Sequence, residues 1–506
     1  MNPRQFAVGG FIFVWLQTQG GILDADQQGG WSLLKGEAQL LKLGESRVKL
    51  LGNLLDRVSQ VWASFDTARE SEPVSTAEVE QILAEPLPRK GRGENLTLAQ
   101  AGEILDQSTA QSRPRFFAFI GSSGLEIGAV ADFLTSSYDI NLAVDSRAAS
   151  VMERQTAAWL GEFIGYSPTA KGLFTSGGTV SNITALAAAR TAAFPDSRRK
   201  GVQQATAIYC SAEAHYSNQR AVELLGLGSD SMRSIGIDEH RRMKVSELVS
   251  AIENDLANGV VPLAVIASAG TTLTGAVDPL DEIADVCAKY QIWMHVDGAY
   301  GAPAAGSATA APLFKGLSRA DSVTVDAHKW LFVPKACSIL LTKEYTPLVR
   351  PFSHNEAYMP HDHDEPNPVD VTLEYSRPVR ALKLWMGFAS HGADEFAEAI
   401  ESNLSLARYT YDRANSEPDF DVLPHAPQLS IVPIRFAPAG VSDLNGLNKK
   451  IYERILGDGR IYLSPATIDG ETWLRPCYTN FRTTQKDVDV LFDVVAEIGQ
   501  KVLAEL

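Results

Sequence analysis

The sequence predicts an α/β protein. A mostly parallel central sheet is covered by helices, a smaller α/β unit follows it, and a helical segment precedes it. Three observations carry this reading. Four short runs rich in β-branched residues occur in one half of the chain: TAIYCS (206–211), PLAVIASAG (262–270), IWMHVDGAY (292–300) and SVTVDAHKW (322–330). An amphipathic helical pattern, DPLDEIADVCAKYQ, fills the gap between the second and the third. Such alternation argues for parallel strands joined by helical crossovers. Finally, 506 residues, 45% of them hydrophobic and 21% charged, suffice for two or three units with an ample core.

Taken in order, the chain opens on FAVGGFIFVWL (6–16), an apolar run with only Arg4 ahead of it. It is too short to span a bilayer and lacks a small-residue cleavage site, so it reads as a buried or partner-facing segment. Leu51, Leu54, Leu55, Val58 and Trp62 recur at helical spacing and give one helix an apolar face. ESEPVSTAE and EPLPRKGRGEN, polar and proline-containing, read as loops. Residues 1–124 form this N-terminal segment, 125–386 the large domain and 387–506 the small one. The small domain shows a helix near 394–415, the apolar strand LSIVPIRF and a closing helix, TTQKDVDVLFDVVAEIG. Thr483 and Thr484, ahead of Asp487, supply its N-cap.

A net charge of −16 argues against nucleic acid or an anionic membrane as partner. The cysteines, Cys210, Cys287, Cys337 and Cys477, form no CxxC pair and no metal-ligand spacing. They read as reduced and structural, which fits the cytoplasm.

Four features carry chemistry. Lys329 sits between Val323 and Val325 on one side and Trp330, Leu331, Phe332 and Val333 on the other. Such a lysine either snorkels to solvent or forms an imine with a carbonyl compound. FTSGGTVSNITALAAARTAA (174–193) is a turn opening a strong helix, with Ser176, Gly177, Gly178 and Thr179 at its start. It is neither a Walker loop nor GxGxxG; it is a capped helix or a phosphate cradle. In WMHVDGAYG, Asp297 ends an apolar strand, where parallel sheets bind ligands. It either caps a turn or faces a ring nitrogen. His215 follows the strand TAIYCS, as a structural histidine or as one that stacks on a flat cofactor.

The order of these features along the chain resembles that of the pyridoxal-phosphate-dependent group II amino-acid decarboxylases. That family contains aromatic-amino-acid, glutamate, cysteine-sulfinate and diaminobutyrate decarboxylases. The resemblance runs from SRPRFFAFIGS at 112 to the C-terminus, and HVDGAYG with DAHKW at this separation is its most specific part. It implies a fold type I, PLP-dependent transferase-like architecture of the aspartate-aminotransferase superfamily. It also implies pyridoxal 5'-phosphate as cofactor, joined to Lys329, whose pKa enclosure would lower. Gly178 and Thr179 would hold the phosphate, with His328. His215 would stack on one ring face and Ala299 would pack the other. Asp297 would keep the ring nitrogen protonated. Thr272 and Asp326 match positions near the ring and phosphate, although Asp326 stands where aromatic relatives carry asparagine.

PFSHNEAYMPHDHDEPNPVD (351–370) reads as a mobile lid, and the resemblance makes Tyr358 within it the proton donor. HDHDE, in the same loop, is not expected to hold a metal. EYSRPVRALKLW and WLRPCYTNFRTT resemble the family's helix into the small domain and its C-terminal strand. The implied activity is decarboxylation of a small-molecule L-amino acid to amine and carbon dioxide. The aromatic residues of PRFFAFIGSSG, which lines the pocket in relatives, favour an aromatic substrate. An acidic one (glutamate, aspartate or cysteine sulfinate) stays open, as does a non-catalytic homologue that carries the cofactor. The family also implies a homodimer, clasped by residues 1–124.

Overall fold

The computed structural model describes residues 23–25, 31–33, 43, 46–354 and 366–505. FAVGGFIFVWL and Tyr358 lie outside them, as does HDHDE. The expected N-terminal helix is present as α1, Ser46–Phe65. None of its residues is buried, and Val48, Leu51 and Leu55 of its apolar face stay exposed among the described residues.

The centre is a seven-stranded sheet. Its strands are β1 (Lys171–Thr175), β2 (Thr206–Ser211), β3 (Met232–Ile235), β4 (Val261–Ser268), β5 (Trp293–Asp297), β6 (Ser322–Val325) and β7 (Ser338–Thr342). Their order is β1-β7-β6-β5-β4-β2-β3. The pairings from β6 through β5, β4 and β2 to β3 are all parallel. Only β7 is reversed, antiparallel to both β1 and β6. The runs read from sequence are thus strands of a mostly parallel sheet, with one inserted reversal.

Both faces are covered, which is why these strands read as continuous apolar runs. Val265 and Ala267 of β4 face a core shared with Leu160, Leu248 and Ile283 from three helices. Ile266 faces the other way, toward Leu186 and Ala189 of α2 (Gly178–Ala193). Because every strand but β7 points the same way, the carboxyl ends of β1, β2, β4, β5 and β6 gather at one end. β6 stops at Val325, and a single helical turn, Ala327–Trp330, follows. Lys329 therefore stands just past its strand, on a turn closed by its own amide bonding the Asp326 carbonyl at 2.9 Å.

A long helix, Ala381–Ser416, leads into the small domain and breaks at Gly392, where φ is 79°. Beyond it lies an antiparallel sheet of β8 (Phe420–Val422), β9 (Ile434–Phe436), β10 (Ser464–Ile468) and β11 (Glu471–Arg475). Their order is β8-β9-β11-β10. The closing helix, Gln485–Leu503, starts as expected: Thr484 and Asp487 form a reciprocal capping box. All four cysteines are buried and free. Among the described residues no helix is long and apolar enough to cross a membrane, and no cluster of three or more potential ligands could hold a metal.

Candidate active site

The gathered strand ends surround a cavity of about 300 Å³. Gly178, Thr179, His215, Thr272, Asp297, Ala299, Asp326, His328 and Lys329 all line it. These are the sequence-predicted residues that fall within the described chain. They come from five separate stretches, which the parallel topology brings to one end of the sheet.

One wall is the start of α2. Gly177 caps the helix without a side-chain bond, and Gly177, Gly178 and Thr179 line the cavity, so the helix start offers its first amides there. A Cβ at Gly178 would stand 3.0 Å from Asp326 Oδ2 and 3.2 Å from the Ala299 Cβ, so this position admits only glycine without displacement. Backbone amides at a helix N-terminus, with the dipole behind them, suit a phosphate. His328 stands close by, with Nδ1 against the Cys337 carbonyl oxygen at 2.8 Å and Nε2 3.8 Å from Asp326 Oδ2. Burial pushes its pKa down, toward the neutral form.

Lys329 departs from expectation. Burial does push its pKa down, but Asp326 outweighs burial. Its Nζ lies 2.9 Å from Asp326 Oδ2, and the net direction is upward from the ordinary lysine value. The two form an ion pair in which Asp326 is buried and Lys329 partly buried. Burial works to raise the Asp326 carboxyl, yet Lys329 and His328 hold it below the ordinary range. Asp326 Oδ1 is buried without a hydrogen-bond partner, so the site has acceptor capacity to offer a bound group.

Opposite, Asp297 ends β5. Its Oδ2 accepts from Asn182 Nδ2 at 2.9 Å and Asn218 Nδ2 at 3.0 Å. Among the described residues its Oδ1 takes only the Ala299 amide, at 3.3 Å. His215 caps α3 (Tyr216–Leu224), its side chain accepting from the Ser217 amide. Burial shifts it toward the neutral ring.

The donor set fits pyridoxal 5'-phosphate. An amide-rich helix start suits the dianion, an amine suits the aldehyde, and a carboxylate with an oxygen to spare suits a ring nitrogen.

Sequence reasoning missed Asn182, Ser217 and Asn218, the polar shell around Asp297 and His215. Asn182 sits one turn after Gly178 on α2, and only that helical spacing hinted at its place. It also missed Lys335, which lines the cavity and donates to Gln111 Oε1. One expectation fails on geometry. No residue of PRFFAFIGSSG lines the cavity; Phe117 is buried in the small-domain core, and Phe116 stacks on Tyr462. Phe119 stands half exposed, its carbonyl held by Arg475. That arginine donates also to the Thr272 carbonyl, at 2.8 Å.

Sheet, cavity and donor set together place the chain among the fold type I pyridoxal-phosphate enzymes. The family model described as pyridoxal-dependent decarboxylase conserved domain matches residues 81–436. The chain is 33% identical to the aromatic-L-amino-acid decarboxylase of Bacillus atrophaeus, over 91% of this chain and 97% of that protein. It is 30% identical to human cysteine sulfinic acid decarboxylase, over 84% of this chain and 90% of that one. The crystal structure of mouse CSAD superposes with a TM-score of 0.83 at 27% identity, covering 90% of this chain and 99% of that one. The chain belongs to the pyridoxal-dependent decarboxylase family and is an amino-acid decarboxylase.

Proposed function

We propose that this enzyme decarboxylates an aromatic L-amino acid, acting in the cytoplasm as a homodimer. The observation that carries the substrate class is Arg475. It is the buried guanidinium beside the cavity loop, and it is taken up by the carbonyls of Thr272 and Phe119. The guanidinium nearest Thr272 is thus already bonded and offers no free cation to a substrate carboxylate, while Phe119 stands half exposed on the same arginine. The Bacillus relative, which its name describes as acting on aromatic amino acids, supports the same reading. A second reading rests on Lys335: its ammonium in the cavity wall would suit an acidic substrate, as in the cysteine sulfinic acid relatives.

Bound pyridoxal phosphate supplies the electron sink for the carbon that loses its carboxylate. The chain's own residues hold and tune it. Gly178, Thr179 and His328 would hold the phosphate, with His215 and Ala299 on either side of the ring and Thr272 and Asp326 beside it. Lys329 would hold the aldehyde once rid of the proton that Asp326 stabilises. Asp297 would hold the ring nitrogen with its underused Oδ1. Tyr358 would supply a proton to the α-carbon of the product.

An amine-release screen across the common L-amino acids, with added pyridoxal phosphate, tests the substrate. Tryptophan, tyrosine, phenylalanine or their hydroxylated forms are expected to lead. Preference for glutamate, aspartate or cysteine sulfinate would overturn the aromatic reading in favour of Lys335. No turnover with any of them, from protein that is yellow with cofactor, would point to the non-catalytic homologue. Borohydride reduction followed by peptide mapping is expected to put the cofactor on Lys329.

A further inference from the structure

The period-two alternation of β5 puts Trp293, His295 and Asp297 on one sheet face, the face that α2 covers. A continuous line of hydrogen bonds joins them. Trp293 Nε1 lies 3.0 Å from Ser322 Oγ, and Ser322 Oγ lies 2.8 Å from His295 Nδ1. His295 Nε2 lies 3.1 Å from Asn182 Oδ1, and Asn182 Nδ2 lies 2.9 Å from Asp297 Oδ2. A branch leaves at Asn182: its Nδ2 also reaches Ser217 Oγ at 3.0 Å, and Ser217 Oγ lies 2.8 Å from His215 Nδ1. Ser322, His295, Asn182 and Ser217 are all buried, so water does not compete.

The chemistry of each group fixes where the hydrogens lie. An indole N–H only donates, so Ser322 Oγ accepts from Trp293. A carboxylate only accepts, so Asn182 turns its Nδ2 toward Asp297 and its Oδ1 toward His295. An amide oxygen only accepts, so His295 carries its hydrogen on Nε2. Burial holds His295 neutral, pushing its pKa down to about 4, so Nδ1 is bare and takes the Ser322 hydroxyl. On the branch, Ser217 accepts from Asn182 and donates to His215 Nδ1, which its own amide also approaches at 3.3 Å. His215 therefore carries its hydrogen on Nε2, the nitrogen turned away from its helix cap. Every donor along the main line points toward Asp297, and such aligned bonds polarise one another.

We propose that Asn182 is a positioning residue whose one amide orients Asp297 and, through Ser217, backs the His215 tautomer that the Ser217 amide also selects, and that Ser322 and His295 hold that amide in this orientation. If His295 carried its hydrogen on Nδ1 instead, Nε2 would face Asn182 Oδ1 acceptor to acceptor, and the amide would lose its bond either to His295 or to Asp297. One remote hydroxyl thus bears on both side chains that address the cofactor ring. The inference rests on the ring placement proposed above, between His215 and Asp297.

The test uses the full chain labelled with [15N]histidine, cofactor-free and loaded. Solid-state 15N spectra are read for protonated and bare ring nitrogens, and His295→Gln and His215→Gln identify the signals. Both histidines are expected to show bare Nδ1 and protonated Nε2. Ser322→Ala is expected to give His295 mixed tautomers and to weaken pyridoxal phosphate binding about fivefold, equivalent to ~1 kcal/mol. Ser322→Thr, which keeps the hydroxyl, should restore the wild-type spectrum and bind within about twofold, the spread of a surface-level effect. Protonated Nδ1 on either histidine of the wild type overturns the proposal, and this readout needs no variant to fold. A wild-type spectrum and affinity in Ser322→Ala overturns it equally. The ring placement is read separately. If Asp297→Asn leaves cofactor affinity and absorbance unchanged, the placement falls, whatever the histidine spectra show.

Discussion

At Gly178 the cavity leaves no room for a side chain. Its absent Cβ would press on a carboxylate oxygen at 3.0 Å, at the helix start that would carry the phosphate. Gly178→Ala should therefore weaken pyridoxal phosphate binding about tenfold, ~1.4 kcal/mol. An absorbance titration of cofactor-free protein measures this, with the thermal midpoint as a control for folding. Asp297 gives a sharper case. An asparagine there could still offer its oxygen to Asn182 and Asn218, but its NH2 would face the ring nitrogen. The mismatch leaves an enclosed charge unpaired, worth on the order of 3–5 kcal/mol. Asp297→Asn should slow turnover by about two to three decades; near-normal kcat would remove Asp297 from the mechanism. Lys329 shows the limit of single-residue reasoning. Enclosure argued for a lowered pKa, yet a carboxylate three residues earlier, brought alongside by one helical turn, reverses the direction.

At the scale of elements, the strand ends must be pinned for the cavity to keep its shape. Asp278 does this for β4. Its Oδ1 accepts the Met243 amide and its Oδ2 the Ser268 amide, each at 2.7 Å. Burial, opposed by those two bonds, raises its pKa from the ordinary 3.8 to about 6. The folded state thus holds a proton that the unfolded chain releases. Its contribution is fully present below about pH 4 and is lost as pH rises toward about 6. Asp278→Asn abolishes this titration. The gap in thermal midpoint between wild type and variant should therefore widen in the wild type's favour as pH falls through that window. A gap that is constant with pH would show that Asp278 does not titrate there. The Asn variant should also be less stable at every pH, because its NH2 would meet a backbone N–H, costing about 1–3 kcal/mol.

For the whole molecule, the open question is what covers α1. Val48 is 80% exposed and Leu55 66%, on a helix with no buried residue. A long amphipathic helix of this kind is stabilised by packing its apolar face, and among the described residues this chain covers that face only in part. A second copy would. The protein is expected to be a dimer by light scattering, and Leu51→Lys with Leu55→Lys should shift it toward monomer. A wild-type monomer at micromolar concentration would reject the dimer outright.

The strands and their order of chemistry were legible in the sequence because each is a local pattern. TAIYCS and SVTV are apolar runs bounded by polar residues; SGGT opens a helix; Asp297 ends a strand and Lys329 lies on the turn after one. These depend on neighbours within a few positions. Thr484 as a cap was legible for the same reason. What no local pattern contains is a partner far along the chain. The reversal of β7 rests on pairing with both β1 and β6, and the shell around Asp297 joins residues from α2, α3 and β5. The direction of the Lys329 shift depends on a turn geometry. Chain order alone thus named the chemical groups of this site, while the distances between them, which set charge, tautomer and access, came only from the packed sheet and its covering helices.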